Sequence, residues 1–422
     1  MRARVRRSLQ AGFAGLVVAV LAGCSGGLLL ANPPLPVASP ASSSATPARP
    51  PDPVAIVFPR DDGPHDRLTE WWYYTGHLVT ADGRHFGFEA VIFRAERGDV
   101  PVTWASHLAL TDESGNRFLY AQRSQIGPAV DQSPRDATGQ PGGFDLRISG
   151  FDPSNPSATP AAPWRLAGQG GQDTITAALS PAEASTAGGG FGLDLSLSPN
   201  GPTALHDTNG WVSFGPSGGS YYYSRPSLQV SGQLVLDGVS QTVSGEAWFD
   251  HQWGDFISVG GGWDWFAIGF PPSGIHVMLS VVRGPDGSQA LAYGALVRGS
   301  QVSTIAGSDF RITPTGSWTS PATDATYPAG WTIQIRGSLP IEVRLTPTVA
   351  DQELDTRPTT GVVYWEGSQC VTARIGAQAG ASPFPSCVSA GSAEAYVELT
   401  GYAAAAATPS AAPSTSPAEA SP

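Results

Sequence analysis

Two short runs hold most of the side chains that could move a proton: Trp248-Phe249-Asp250-His251-Gln252-Trp253 and, a little further on, Trp263-Asp264-Trp265. A carboxylic acid kept neutral by apolar burial can donate a proton, and an imidazole can orient or deprotonate water. Indole faces shield a developing cation, most effectively where water is excluded. These residue types suit addition of water to an unactivated C=C bond, which begins with protonation and passes through a tertiary carbocation. Asp250 and Asp264, with Glu70 as a further acid, are the candidate proton donors, and His251 is the candidate base. Trp253, Trp263, Trp265, Tyr74 and Tyr223 would wall a pocket for a substrate with few hydrogen-bonding handles.

The blander reading is packing. Trp and Tyr at alternate strand positions usually fill a core, and Trp71, Trp72, Trp248 and Trp365 are assigned there. Glu70 with Arg94 or Arg225 would form buried ion pairs that fix the fold. His77 and His107 suit either role, while His65, His85, His206 and His276 are expected in loops or at the surface.

Several chemistries are excluded. The chain has no lysine, all 23 basic residues being arginine, so Schiff-base catalysis is absent. Gly215-Pro216-Ser217-Gly218-Gly219 matches a nucleophile elbow, but Tyr221 to Tyr223 reads as strand where that elbow needs a helix. His107, His206 and His251 have no metal-ligand spacing, so no metal and no cofactor are expected. The net charge of -12 without a basic run leaves nucleic acid an unexpected partner.

The elements that must position these side chains are strands. Segments of alternating polarity, bounded by Gly, Pro, Asp and Asn, recur without sustained 3.6-residue periodicity, so the fold is all-β and antiparallel, barrels being favoured because closure removes exposed edges. The clearest hairpins are Trp71 to Arg94 about Ala81-Asp82-Gly83, and Ser227 to Phe249 about Asp237-Gly238. Residues 123–200, rich in Pro, Gly and Ser, are expected to form long loops with weak strands. The length exceeds what one core usually supports, which predicts two domains, 54–255 and 256–402.

The ends read differently. Arg2, Arg4, Arg6 and Arg7 precede an apolar core from Ala11 to Ala22, and Leu21-Ala22-Gly23-Cys24 closes it as a lipoprotein processing site would. Residues 1–24 are therefore expected to be a signal peptide with lipidation at Cys24, giving an extracytoplasmic protein anchored to the cell membrane by lipid. Residues 25–53 and 403–422 read as a linker and a tail rich in Pro, Ala and Ser. In an oxidising compartment Cys370 and Cys387 would form a disulfide, two buried free thiols being the alternative.

Four clusters carry a family resemblance: Glu70 to Leu78 with Phe86 to Glu89, Phe93 and Arg94; Tyr222 to Pro226 with Gly245 to Gly254; Gly262 to Phe266; and Tyr364 to Gly367 with Tyr396 to Tyr402. Together they resemble the lipocalin-like AttH and carotenoid 1,2-hydratase family. The resemblance implies two lipocalin-like antiparallel β-barrels in tandem, the first ending near Trp253 and the second beginning near Trp263. It also implies a hydrophobic small molecule or lipid as ligand, with His251, Trp253 and Asp264 at the positions implicated in carotenoid hydration. A non-catalytic lipid carrier and a pericyclase are the alternatives.

Overall fold

The computed structural model describes residues 51–150, 160–207, 209–215, 218–256, 261–376 and 393–403. Cys24, Pro216, Ser217 and Cys387 therefore lie outside the described residues. The first sheet contains β1 (Thr69–Thr80), β2 (His85–Arg97), β3 (Val100–Asp112), β4 (Arg117–Ile126), β5 (Phe144–Gly150) and β6 (Ala161–Gln169). It continues with β7 (Gln172–Ala178), β8 (Phe191–Pro199), β9 (Ala204–Leu205), β10 (Trp211–Ser213), β11 (Gly219–Leu236) and β12 (Val239–Gly254).

The second sheet contains β13 (Trp263–Phe270), β14 (Ile275–Arg283), β15 (Gln289–Arg298), β16 (Gln301–Ala306) and β17 (Phe310–Pro314). A separate hairpin of β18 (Ser317–Thr319) and β19 (Thr326–Pro328) follows. The second sheet is completed by β20 (Trp331–Ile335), β21 (Ile341–Pro347), β22 (Glu353–Asp355), β23 (Val363–Ile375) and β24 (Glu394–Thr400).

In the first sheet the order is β4-β3-β2-β1-β12-β11-β8-β7-β6-β5, and the end strands β4 and β5 lie against each other, so the sheet nearly closes. In the second the order is β16-β15-β14-β13-β24-β23-β21-β20-β17. The paired strands are antiparallel, as tandem lipocalin-like barrels require. Turn chemistry sets the long hairpin β11–β12, where Asp237 and Gly238 take φ of 49° and 82° and match the strand twist.

Strands are present in residues 123–200 as expected, but in fuller pairing than a stretch of long loops would give. That stretch supplies β5 to β8 and a short helix α1 (Pro181–Ala187), whose Ser180 and Glu183 form a capping box. Its strands are faint but legible, since Leu193, Leu195 and Leu197 alternate into the barrel while Pro, Gly and Ser dominate the composition between strands.

Among the described residues the three largest apolar clusters follow from this arrangement. Trp72, Trp104, Trp164, Tyr223 and Phe249 fill the first sheet, and Phe266, Ile268, Trp331 and Trp365 fill the second. Between the sheets lies a third, with Tyr73, Tyr222, Trp248, Trp265, Met278 and Tyr396. Consequently β1, β11 and β12 are covered on both faces.

Candidate functional site

Because strand side chains alternate, β12 deals its residues to two different places. Phe249, His251 and Trp253 point into the first barrel, whereas Trp248 and Asp250 point toward the second sheet. Strand β1 does the same, pairing Trp72 with His251 and Tyr73 with Asp250. The expected convergence of Asp250, His251 and Asp264 is therefore not found. Asp264 sits on the far face of β13, where it accepts from Arg283 and, at 2.9 Å, from Tyr402. Trp263 and Trp265 face the sheet interface with Asp250, while Trp253, Tyr74 and Tyr223 lie inside the first barrel with His251.

At the interface the sequence motifs bring together acids that were not singled out. Tyr73 donates to Glu366 Oε1 at 2.7 Å, and Tyr364 donates to Glu89 Oε1 at 2.8 Å. Each carboxyl thus has one oxygen held by a tyrosine from the opposite sheet. Among the described residues the other oxygen of each, Glu89 Oε2 and Glu366 Oε2, is buried without a hydrogen-bond partner. Both glutamates are fully buried. Burial, opposed by the Tyr364 hydroxyl and reinforced by the charge of Glu398, pushes Glu89 up to about 8. Glu366 is pushed well above the carboxylate range by burial and then by Glu89 and Glu398. Glu398, held by Trp263 Nε1 at 2.9 Å, is pushed by burial up to about 7. These are carboxylic acids that keep their protons near neutrality.

Asp250 belongs to the same layer, accepting from Tyr222 at 2.5 Å and from Trp248 Nε1 at 2.6 Å, while Trp265 Nε1 donates to Tyr222 at 3.1 Å. Burial pushes it up to about 7 against those hydrogen bonds. A narrow crevice of about 30 Å³ opens between the sheets and is lined by His77, Glu246, Trp248, His276 and Tyr396. Burial, together with the charges of Glu366 and Glu89, pushes the hydroxyl of Tyr396, one of the crevice residues, well above its usual range. His107 lies behind them, its Nδ1 2.7 Å from the Tyr364 hydroxyl.

The first barrel holds a second polar cluster. Glu70 Oε1 is 2.6 Å from His65 Nδ1 and 3.0 Å from His251 Nε2. Glu70 is not the neutral acid expected: although burial opposes it, the two imidazoles pull its carboxyl down to about 2. Burial lowers His251, whereas His65 is raised, burial being outweighed by the charges and hydrogen bonds of Glu70 and Asp61 together. Beyond His251, Tyr223 and Arg225 each donate to Asp62 at 2.6 Å, so Arg225 pairs with Asp62 and not with Glu70. Tyr74 donates to Asp173 at 2.8 Å.

Other placements also bear on expectation. His206 lies in a loop as expected but is buried, stacking on Tyr222 at 3.9 Å, whereas His276 is a buried strand residue that pairs with Glu246 at 2.7 Å. Trp248 does more than pack, since it holds Asp250. No helix follows Gly219, where β11 begins, so the elbow geometry is absent among the described residues. Cys370 is disulfide-bonded. The missed acids had one available signal: Glu89, Glu366 and Glu398 each sit on a strand among aromatic and β-branched residues on both faces, which marks a sheet covered twice.

No curated protein matches the chain. The AttH-like family profile matches residues 48–402. A protein from Nitrosomonas europaea described as an AttH shares the fold with a TM-score of 0.64 and 29% identity, over 83% of this chain and 98% of that one. Kievitone hydratase from Nectria haematococca shares it with a TM-score of 0.56 and 15% identity, over 82% and 93% of the respective chains, and at that identity the likeness shows the fold alone.

Proposed function

The chain belongs to the AttH-like family, and from that premise we propose that it is a hydro-lyase adding water to a C=C bond of a hydrophobic small molecule in the crevice between its two sheets. The observation that carries the reading is the pair Glu89 and Glu366, two buried acids between the sheets that each keep one oxygen without a hydrogen-bond partner. In the proposed step a protonated carboxyl gives its proton to one alkene carbon. Water oxygen bonds to the other carbon, and the proton it releases returns to the carboxylate. Trp248 lines the crevice with Trp265 edge-on to it, and an apolar chain seated there would meet indole faces able to shield a cation. The name of the kievitone hydratase neighbour lends the reaction class support, as does the residue resemblance to carotenoid hydratases.

The same proposal places the protein outside the cytoplasm, tethered by lipid at Cys24, on the strength of the basic and apolar residues that precede it. A tethered enzyme would meet substrates that partition into membranes.

The test is a panel of acyclic carotenoids, other isoprenoids and prenylated phenols incubated with the purified chain, products being followed by mass for the gain of one water. Conversion by the parent, with turnover reduced about 10²–10⁴-fold in Glu366→Gln, is the expected result. If no member of the panel is hydrated, or if Glu366→Gln and Glu89→Gln both work at the parent rate, the reading is wrong.

A further inference from the structure

We propose that His65, Glu70 and His251 form a binding site for a divalent transition-metal ion of the zinc class at the mouth of the first barrel, apart from the acids between the sheets. Their donor atoms all lie within 4.8 Å of one another. Two imidazole nitrogens aim at a single carboxylate oxygen, at 2.6 and 3.0 Å. Neighbouring ligands on a tetrahedral zinc ion stand ~3.3 Å apart, given metal–ligand distances of ~2.0–2.1 Å, so seating an ion needs the carboxylate oxygen to move away from the imidazoles by several tenths of an ångström. Two histidines and a glutamate are also a donor set that zinc accepts while keeping a fourth position for water or substrate.

The surroundings already resemble those of a ligand set. The ring nitrogen of His65 that faces away from Glu70 lies 3.3 Å from Asp61 Oδ1, and that of His251 lies 3.3 Å from the Tyr223 hydroxyl. Such partners fix the tautomer and orientation of metal-bound imidazoles. Stacking locks the rings further: His65 lies flat on Trp253 with centroids 4.1 Å apart, and His251 lies against Trp72 at 4.7 Å. Glu70 is held from its other oxygen by the His65 backbone N–H at 2.9 Å. An ion has a way in, because the His65 side chain is 19% exposed while Glu70 and His251 are fully buried.

No sequence motif announces this site. Glu70 and His251 meet because β1 and β12 pair, and His65 arrives from the segment before β1, which turns back over the barrel mouth. A bound ion would therefore also clamp that segment to the barrel.

The test uses the tag-free full chain, stripped with a chelator and titrated with Co²⁺ and then Zn²⁺. One equivalent of Co²⁺ should develop the visible absorption of a four-coordinate ion and be displaced by Zn²⁺. Asp61→Asn, which leaves all three ligands in place, should weaken binding about 10–100-fold. Glu70→Gln and His251→Gln should abolish the spectrum. His65→Gln, at the partly exposed position where folding is least at risk, should abolish both the spectrum and the rise in thermal midpoint that metal gives the parent. Absence of saturable binding in the parent, or binding unchanged in His65→Gln, would overturn the proposal.

Discussion

Tyr73 and Glu366 stand 293 residues apart in sequence and share one buried hydrogen bond of 2.7 Å that crosses from the first sheet to the second. With its counterpart between Tyr364 and Glu89, it makes each sheet supply the donor for an acid on the other.

Tyr73→Phe removes that donor while keeping the ring. It leaves both oxygens of Glu366 unpaired in a dry layer, which should cost about 1–3 kcal/mol of folding stability. Urea unfolding measures it; an unchanged midpoint would mean that the bond is not made in solution.

Stability should fall as the solution turns alkaline. Glu89, Glu398 and Glu366 have folded-state pKa values raised above those of the unfolded chain, so the stabilisation they give is complete at acid pH and is lost as pH rises through the folded values. His107 and His206, lowered to about 3 by burial, oppose this only where unfolded histidine is protonated. The clean window is therefore about pH 7 to about pH 9, where Glu89 alone should account for about 1 kcal/mol. Tyr364 contacts this acid and His107 in turn contacts the Tyr364 hydroxyl, and both are retained in Glu89→Gln. That variant should show a visibly shallower fall in unfolding free energy across the window, and an identical slope would contradict the assignment.

Arg225 and Asp62 form a buried ion pair inside the first barrel, with the guanidinium also lying over the rings of Phe58, Tyr223 and Phe249. Arg225→Met keeps the apolar stem and strands the charge of Asp62, which should destabilise the chain by about 3–5 kcal/mol. The double variant with Asp62→Asn should recover part of that loss in chemical denaturation.

Gly87 sets how closely the sheets approach. A Cβ there would lie 2.8 Å from Ser368 Cβ and 2.9 Å from the Tyr396 hydroxyl. Gly87→Ala should force the interface apart, at about 1–3 kcal/mol, and alter the fluorescence of Trp248 and Trp265. Unchanged emission and stability would show that the close contact is not maintained.

The all-β class and the long hairpins were legible because turns such as Asp237-Gly238 and alternating polarity are local signals. The site was legible only as a set of motifs. Asp250 and His251 were read together because they are adjacent, yet adjacency on a strand means opposite faces. Period-two patterning could not sort those faces, since β1 and β12 are buried on both sides near the motif. Glu70 was read as a neutral acid because its two imidazole neighbours, one from a loop and one from a strand 181 residues away in sequence, come together only in the folded chain. Glu89 and Glu366 went unselected for a related reason: a tyrosine on another sheet decides what each can do.

The sharing of β12 between the two polar clusters makes pairing errors unusually consequential. A slip of one residue would carry an acid into the barrel and an imidazole out to the interface, exchanging the two clusters without changing a single amino acid. Gly245 guards against this, because its Cα hydrogen lies against the His77 carbonyl where an added Cβ would stand only 1.8 Å away, and the irregularity between Arg225 and Leu228 interrupts the ladder on the other side. Misfolded chains with an apparently native sheet but neither chemistry are the expected product when that alignment fails.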